Sequence, residues 1–331
     1  MMHYGQFFRL MSRLNVRSAI KWTPKSCYPL SLHMAKRNPL PPPILLMVAA
    51  AAQAAHVHLV DIEAHMDFTN KNILISGGSS GIGLALAKEM AAMGANITIL
   101  ARRKELLESA LSEIKNSAVS SGQRFKWFSA DVRNYDDLKK VLSTDRTAYD
   151  ILINSAGIAY PGKFVDLEPA IFKNVIDTNY LGSVYLTKLI LPKMINKNSG
   201  YIINISSLAA LIGIYGYTAY APSKYAIRGF SRCLRSEVKP HGIDVSVVLP
   251  PDTDTPQLAF EHSIIPKITK KINQSGSVMS AEKVAHVIIE GIKRKKFTIV
   301  PGFEGKLLYA LAPIFGRYFY RFAVNLAKKD I

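Results

Sequence analysis

Short apolar segments alternate with longer amphipathic segments between Asn70 and about Val300. The short segments are apolar throughout, which is typical of strands buried on both faces of a parallel sheet. The longer segments repeat apolar residues at helical spacing. The predicted strands are Ile73–Ser76, Ile97–Leu100, Phe125–Ala130, Ile151–Asn154, Tyr201–Ser206, Val245–Leu249 and Phe297–Val300. The predicted helices include Ile82–Met93, Lys104–Ser117, Pro169–Asn196 and Ala219–Lys239.

This alternation predicts right-handed βαβ units, and therefore an α/β domain with a doubly wound parallel sheet of about seven strands. We expect a single domain over residues 66–300, with an extension of residues 1–65 before it and of residues 301–331 after it. Ligands bind such sheets beyond the carboxyl ends of the strands. The residues that follow each strand are therefore the candidates for chemistry.

The N-terminal extension is basic and amphipathic. Arg9, Arg13, Arg17 and Lys21 recur every four residues, and residues 1–60 contain no Asp or Glu. This pattern resembles an organellar transit peptide, and a disordered extension with the functional domain starting at Met66 explains it equally well. The apolar run Ile44–Ala55 has twelve residues, which is fewer than the roughly 20 needed to cross a bilayer.

The C-terminal extension combines apolar and basic residues. Leu307–Leu326 is rich in Leu, Phe, Tyr and Ala, with Arg317 and Arg321 one turn apart and Pro313 interrupting the pattern. We expect an amphipathic helix on a membrane surface, with a substrate lid or a dimer contact as the alternative. The final residues KKDI have the form of a dilysine signal for retrieval to the endoplasmic reticulum. That signal conflicts with a transit peptide.

The formal net charge is +18, of which +13 lies on residues 66–331. This charge is spread along the chain, and no block alternates basic with aromatic residues. The sequence therefore argues against a protein that binds nucleic acid. The two cysteines, Cys27 and Cys233, provide neither a disulfide framework nor a CxxC pair, so no metal site is expected.

A glycine-rich segment, GGSSGIG, joins the first predicted strand to the first predicted helix. Gly77, Gly81 and Gly83 permit a tight turn and let backbone N–H groups approach a pyrophosphate at the start of the helix. Ser79 and Ser80 add hydroxyl donors. A glycine-rich turn in this context predicts a dinucleotide site.

The residues after the second predicted strand indicate which dinucleotide binds. An NAD site usually has Asp or Glu there, but this chain has Arg102 and Arg103. A guanidinium group binds the 2′-phosphate that a carboxylate would repel, so we expect NADPH/NADP⁺; capping of the next helix by these arginines is the alternative. After the third strand, Asp131 is placed to meet the adenine edge. After the fourth strand, Asn154, Ala156 and Gly157 would let the backbone pass close to the adenosine ribose.

Four polar residues carry the predicted chemistry, the reduction of a ketone. Tyr220 and Lys224 share a helix face, Ser207 ends a strand, and Asn179 lies in the preceding helix. Tyr220 would protonate the carbonyl oxygen as hydride arrives, and Lys224 is expected to lower the pKa of Tyr220 and to bind the nicotinamide ribose. Ser207 would donate to the carbonyl oxygen, and Asn179 would hold a water that resupplies the proton.

With Asn154-Ser155-Ala156-Gly157, these residues resemble the short-chain dehydrogenase/reductase family over about Asn70–Pro256. The resemblance implies a Rossmann fold, an Asn-Ser-Tyr-Lys tetrad and a homodimer or homotetramer formed through the long helices. Ser76 and Ser155 depart mildly from the family, which usually has Thr and Asn at these positions.

The segment PPDTDTP after the sixth predicted strand bears on the substrate. Thr255 follows Pro250 at the family spacing, which implies that Thr255 holds the nicotinamide carboxamide, but Pro251 replaces the usual Gly. This loop and GYTAYAPSKYAIRGF resemble the subfamily of 3-ketodihydrosphingosine reductases. At least one of Asp252 and Asp254 is expected to face a substrate ammonium group, with Asx-type capping of the loop as the alternative.

The subfamily resemblance implies NADPH-dependent reduction of 3-ketosphinganine, a long-chain lipid ketone, to sphinganine. It also implies a location on the cytosolic face of the endoplasmic reticulum membrane; a mitochondrial or a peripheral cytoplasmic location is the alternative. Reduction of a steroid, a retinoid or another lipid ketone stays open, as does a cofactor-binding scaffold without turnover.

Overall fold

The computed structural model describes residues 66–273 and 278–328. The N-terminal extension and the last three residues, with the predictions made for them, lie outside this range. The strands are β1 (Asn72–Ser76), β2 (Asn96–Ala101), β3 (Phe125–Ser129), β4 (Ile151–Asn154), β5 (Gly200–Ile205), β6 (Ile243–Val248), β7 (Thr253–Asp254), β8 (Met279–Ser280) and β9 (Thr298–Ile299).

The helices alternate with these strands. They are α1 (Gly81–Ala91), α2 (Lys104–Lys115), α3 (Tyr135–Ser143), α4 (Pro169–Ile176), α5 (Gly182–Asn196), α6 (Tyr220–Val238), α7 (Pro256–Ile264), α8 (Lys267–Asn273), α9 (Ala281–Lys293) and α10 (Phe303–Lys328). A π-helical turn, Asp177–Leu181, joins α4 to α5.

Seven strands form one parallel sheet in the order β3-β2-β1-β4-β5-β6-β9, and β7 and β8 form a separate short pair. The predicted doubly wound sheet is therefore confirmed, and each of its predicted strands matches an observed strand within two residues at either end.

The sheet is covered by helices on both faces. Ile73 and Ile75 belong to a core with α1, α2 and α9, whereas Leu74 belongs to a second core with α3, α5 and α6. All three side chains are fully buried, and each such aliphatic residue contributes about 1.5–3 kcal/mol to stability. Burial on both faces explains why these consecutive positions of β1 are apolar, whereas the edge strand β3 (FKWFS) exposes Lys126 and Ser129.

Two predicted helices differ from the structure. The span Pro169–Asn196 is not one α-helix, because the π-helical turn divides it. Pro313, in contrast, does not interrupt α10, which runs through it; a proline removes one backbone donor and need not end a helix.

The start of α10 packs on the domain. A Cβ on Gly305 would lie 3.4 Å from a methyl carbon of Leu208, and the Arg228 guanidinium lies 5.9 Å from the centre of the Tyr309 ring. Among the described helices, none combines the length and the apolar character needed to cross a membrane.

Candidate active site

The segments that follow β1, β4, β5 and β6 surround one space at the carboxyl edge of the sheet. The strand order changes direction between β1 and β4: β2 and β3 extend to one side, and β5 and β6 to the other. In doubly wound sheets this change opens a crevice in which ligands bind.

The glycine-rich turn after β1 is a tight bend. Gly77 and Gly81 have φ angles of +70° and +55°, which residues with a side chain rarely adopt. A Cβ on Gly83 would lie only 2.3 Å from the carbonyl oxygen of Gly77. The half-buried Ser79 and Ser80 line this turn, and Ser80 precedes α1 without a side-chain capping bond. The first-turn N–H groups of α1 are thus suited to an anionic ligand.

The hydroxyl group of Ser76 links the start of this turn to the segment after β4 through hydrogen bonds. The Oγ atom of Ser76 accepts hydrogen bonds from the backbone N–H groups of Ser155 and Ala156, each at 3.2 Å. A Cβ on Gly77 would lie 2.8 Å from the Cα atom of Ala156. Ser76 therefore keeps the hydroxyl function of the threonine that is usual here in the family.

Two arginines follow β2. Arg103 is the N-cap residue of α2, while Arg102 stands outside the helix, and both side chains are exposed. Helix capping therefore does not account for Arg102. Arg102 directly follows the carboxyl end of β2, the position that lies near the adenosine ribose in dinucleotide-binding folds.

Asp131, which follows β3, already has a cationic partner. The Nε atom of Arg133 lies 3.0 Å from both carboxylate oxygens of Asp131, and Nη2 lies 2.6 Å from Oδ2. Partial burial opposes ionisation of Asp131, but these hydrogen bonds outweigh it and lower the pKa. The Nη1 atom of Arg133 also donates to Asn174 of α4 at 3.0 Å. Asp131, the residue predicted to contact adenine, is thus linked to α4 through Arg133.

The side chain of Asn154 points into the protein, and the predicted approach of its backbone to the adenosine ribose stays a prediction. It is buried, and Nδ2 donates to the hydroxyl of Thr187 at 3.1 Å and to Oδ1 of Asn204 at 2.8 Å. Its own Oδ1 atom has no hydrogen-bond partner among the described residues. Asn154 thus joins β4 to β5 and α5 near the carboxyl edge of the sheet.

Tyr220, Lys224 and Ser207 come together at the ends of β5 and α6. The Nζ atom of Lys224 lies 5.5 Å from the centre of the Tyr220 ring and donates to the carbonyl oxygen of Ile205 at 3.1 Å. Ser207 lies close enough to the Tyr220 hydroxyl for its own hydroxyl to favour the ionised form. The predicted grouping of these three residues is present.

The pKa values of this group differ from the expectation. Burial of the hydroxyl and the negative charge of Glu261 raise the pKa of Tyr220 above its usual value. Burial lowers the pKa of Lys224 to about 8. The net lowering of the Tyr220 pKa that the sequence predicts is therefore not observed.

Asn179 lies in the π-helical turn, which directs its side chain toward the loop after β4. Its Oδ1 atom accepts from the N–H of Ile158 at 2.8 Å, and Nδ2 donates to the Ile158 carbonyl at 2.9 Å and to Ser223 at 2.9 Å. Both ends of the amide are engaged by protein. The side chain of Asn179 thus fixes the loop after β4, and its role in holding a water stays a prediction.

The loop after β6 faces the glycine-rich turn. A Cβ on Gly81 would lie 2.9 Å from the methyl group of Thr255. The hydroxyl of Thr255 accepts the N–H of Leu258 at 3.3 Å and so caps α7. Thr255, which the sequence predicts to contact the nicotinamide carboxamide, thus borders the glycine-rich turn.

The two carboxylates of this loop are not equivalent. Asp254 is exposed, whereas Asp252 is half-buried and its side chain makes no hydrogen bond with the described residues. Asx-type capping by Asp252 is therefore not observed in that range. Burial raises the pKa of Asp252.

Glu261 on α7 is a component that the sequence did not reveal. It is only 6% exposed, and it influences both Tyr220 and Lys224 electrostatically. Burial also raises the pKa of Glu261. The one feature of the sequence that could have indicated Glu261 is that it is the only acidic residue in the helix PQLAFEHSI.

The site offers donors that suit a dinucleotide. In the range that the structure describes, no group of three His, Cys, Asp or Glu side chains is placed to bind a metal ion. The compressed turn at Gly83, the start of α1 and the guanidinium of Arg102 together provide donors for phosphate groups.

Comparisons with known proteins agree with this geometry. The family model for short chain dehydrogenase matches residues 71–263. The 3-dehydrosphinganine reductase of Danio rerio is 36% identical over 277 residues, which cover 81% of this chain and 83% of the relative. A 3-dehydrosphinganine reductase of Arabidopsis thaliana is 39% identical over 241 residues, or 72% of each chain.

Solved structures share the fold. A short-chain dehydrogenase from Sphingobium yanoikuyae, determined in complex with NADPH, has a TM-score of 0.64 at 25% identity and covers 76% of this chain and 95% of its own. The family model spans more than half of the residues, and the relatives share more than a third of the aligned positions. The chain therefore belongs to the short-chain dehydrogenase/reductase family.

Proposed function

We propose that this protein is an NADPH-dependent reductase that converts 3-ketosphinganine to sphinganine. The observation that carries the proposal is the grouping of Tyr220, Ser207 and Lys224 at the ligand edge of the sheet. The names of the relatives from Danio rerio and Arabidopsis thaliana support the substrate. A long-chain lipid ketone is thus the proposed substrate class.

The residues around the glycine-rich turn would hold the cofactor. The start of α1 would bind its phosphates, and Arg102 would bind the 2′-phosphate that distinguishes NADPH from NADH. NADPH in a structural relative supports this choice. When bound, the cofactor supplies the hydride for the reduction.

The chain itself supplies the proton and the electrostatic support. Tyr220 donates its phenolic proton to the carbonyl oxygen of the substrate, on which negative charge develops. Ser207 donates a hydrogen bond to the same oxygen. The Lys224 ammonium stabilises the phenolate that is left on Tyr220. Asn179 fixes the loop that faces these groups.

Substitution of the proton donor tests the proposal. Tyr220→Phe should abolish reduction of 3-ketosphinganine while the dissociation constant of NADPH stays unchanged, because only the hydroxyl is lost. Tyr225→Phe is the matched control, since Tyr225 lies on the same helix and is 42% exposed. Turnover by Tyr220→Phe at the wild-type rate would refute the role of Tyr220. Wild-type protein that reduces a steroid or retinoid ketone but not 3-ketosphinganine would refute the proposed substrate.

The proposed location is the cytosolic face of the endoplasmic reticulum membrane, with α10 on the lipid surface. Phe303 and Leu307 lie one turn apart and are 80% and 48% exposed, and Lys306 beside them is also exposed. This mixture suits an interfacial helix. The double variant Phe303→Ser/Leu307→Ser should float less with anionic vesicles at unchanged activity on a detergent-solubilised substrate; unchanged flotation would count against this surface. The homodimer or homotetramer stays a prediction.

A further inference from the structure

Glu261 is a buried carboxylate that no cation of the described residues neutralises. Its Oε2 atom accepts from the hydroxyl of Tyr217 at 2.8 Å, and Oε1 accepts from Nε2 of Gln257 at 2.9 Å. Both donors are neutral, and no described Lys or Arg forms an ion pair with Glu261. A buried charge held only by neutral donors is costly to the folded state. A positive charge brought by a ligand would offset that cost.

The position of Glu261 is next to the reacting group. The ring of Tyr217, which donates to Glu261, lies 5.7 Å from the ring of Tyr220, the proposed proton donor. Glu261 and Asp252 both oppose ionisation of Tyr220, and Glu261 favours the charged form of Lys224. The carboxylate therefore lies near Tyr220, against which a substrate ketone would be placed.

Asp252 adds a second negative group on the same side. It is half-buried, makes no side-chain hydrogen bond with the described residues and interacts electrostatically with Glu261. Two basic side chains bear electrostatically on this pair, the buried Lys224 and the exposed His262. The two carboxylates come from different elements, the loop after β6 and α7, which converge beside Tyr220.

We infer that Glu261, assisted by Asp252, binds the ammonium group that 3-ketosphinganine carries on the carbon next to its ketone. This inference rests on the proposed function and assigns the recognition of its amino group. An ammonium group donates charge-assisted hydrogen bonds to a carboxylate. A ketone without the amine would leave the buried carboxylate uncompensated, and this difference gives selectivity for amino ketones.

The same contact assists the chemical step. The negative charge of Glu261 disfavours the phenolate of Tyr220 that forms when the proton is given up. An ammonium group placed on Glu261 cancels this effect. Binding of the amino ketone thus brings Tyr220 closer to the pKa that proton donation needs.

The test compares two substrates of equal chain length, 3-ketosphinganine and the same ketone with a hydroxyl in place of the amine. For Glu261→Gln, kcat/KM on the amino ketone should fall by about 10- to 100-fold, the range for a hydrogen bond to a charged group. The hydroxy ketone should be reduced as well as by wild type or better. An equal loss on both ketones, or no loss on either, would overturn the inference.

Controls separate the inference from folding and from the proposed function. Asp254→Asn removes an exposed carboxylate of the same loop and should leave the ratio of the two kcat/KM values unchanged. Thermal melting and NADPH binding report whether Glu261→Gln is folded. If Glu261→Gln does not fold, Tyr217→Phe takes its place, because it keeps the charge of Glu261 but removes the 2.8 Å hydrogen bond to it. Tyr217→Phe should lower the ratio of kcat/KM on the amino ketone to that on the hydroxy ketone, by less than is expected of Glu261→Gln. An unaltered ratio would overturn the inference. Wild-type protein inactive on 3-ketosphinganine would instead count against the proposed function.

Discussion

The side-chain amide of Asn179 is hydrogen-bonded to both backbone polar groups of Ile158, accepting from its N–H at 2.8 Å and donating to its carbonyl at 2.9 Å. Asn179 also donates to Ser223, the residue before Lys224. One amide thus joins the loop after β4, the π-helical turn and α6. The position of Lys224 and the shape of the crevice depend on this junction.

Replacing Asn179 with Asp should therefore weaken both stability and turnover. The new carboxylate can accept from Ile158 but cannot donate to its carbonyl or to Ser223. Leaving buried polar groups unpaired costs about 1–3 kcal/mol, which urea unfolding would measure alongside kcat. Asn196→Asp, at the exposed end of α5, is the control. An unchanged free energy of unfolding and an unchanged kcat in Asn179→Asp would show that these hydrogen bonds contribute neither to stability nor to turnover.

The tight packing of the glycine-rich turn can be tested by comparing alanine substitutions at two helical glycines, Gly83 in α1 and Gly229 in α6. Gly83→Ala places a Cβ 2.3 Å from the carbonyl oxygen of Gly77, so the turn must open and NADPH binding should be lost or strongly weakened. Gly229→Ala, within α6, meets nothing within 4 Å and should raise stability by up to about 1 kcal/mol. Isothermal titration with NADPH and thermal melting of both variants give the answer. Tight NADPH binding by Gly83→Ala would contradict the compressed turn.

The sheet could be predicted because its signal is local. A strand buried on both faces must be apolar at every position, as Ile73, Leu74 and Ile75 are. The turn at Gly77 and Gly81 could be predicted equally well, because glycine is the residue that adopts positive φ at no steric cost. In β1 and in this turn, the local geometry of the chain dictates the residue type, so the sequence reveals the structure.

Glu261 could not be found in that way, because its burial depends on distant residues. Tyr217, its hydrogen-bond donor, precedes it by 44 positions, and α7 on its own looks like a surface helix. The raised pKa of Tyr220 has the same origin, because its burial and the carboxylates of Glu261 and Asp252 depend on residues that are close in space and not in sequence. The π-helical turn at Asn179 likewise has no simple sequence signal, since its residues look α-helical.

Arg102 should decide the preference between the two nicotinamide cofactors. Arg102→Asp replaces a phosphate donor with a repelling carboxylate, so the dissociation constant of NADPH should rise by about 10- to 100-fold, the range for a hydrogen bond between charged groups. Binding of NADH should change little or improve. Arg124→Asp, exposed at the opposite edge of the sheet, is the control. Fluorescence titration measures the dissociation constants of both cofactors for wild type and the two variants, and equal weakening toward NADPH and NADH would argue against a 2′-phosphate contact.

The buried ammonium of Lys224 should make stability depend on pH. Burial lowers its pKa from 10.5 to about 8. Below pH 8 the group is charged in both the folded and the unfolded chain, and the folded state bears the full cost of burying the charge. Between pH 8 and 10.5 only the unfolded chain holds the proton, so this cost declines as pH rises.

Lys224→Met should consequently abolish turnover and yet raise the free energy of unfolding at pH 7, by up to about 3 kcal/mol from the shift in pKa. The advantage should shrink between pH 8 and 10.5, because the wild-type protein then loses its penalty. Urea unfolding of both proteins from pH 7 to 10 measures the difference, with Lys188→Met, an exposed lysine on α5, as the control. A difference that stays constant or grows with pH would mean that the Lys224 ammonium is not the destabilising group.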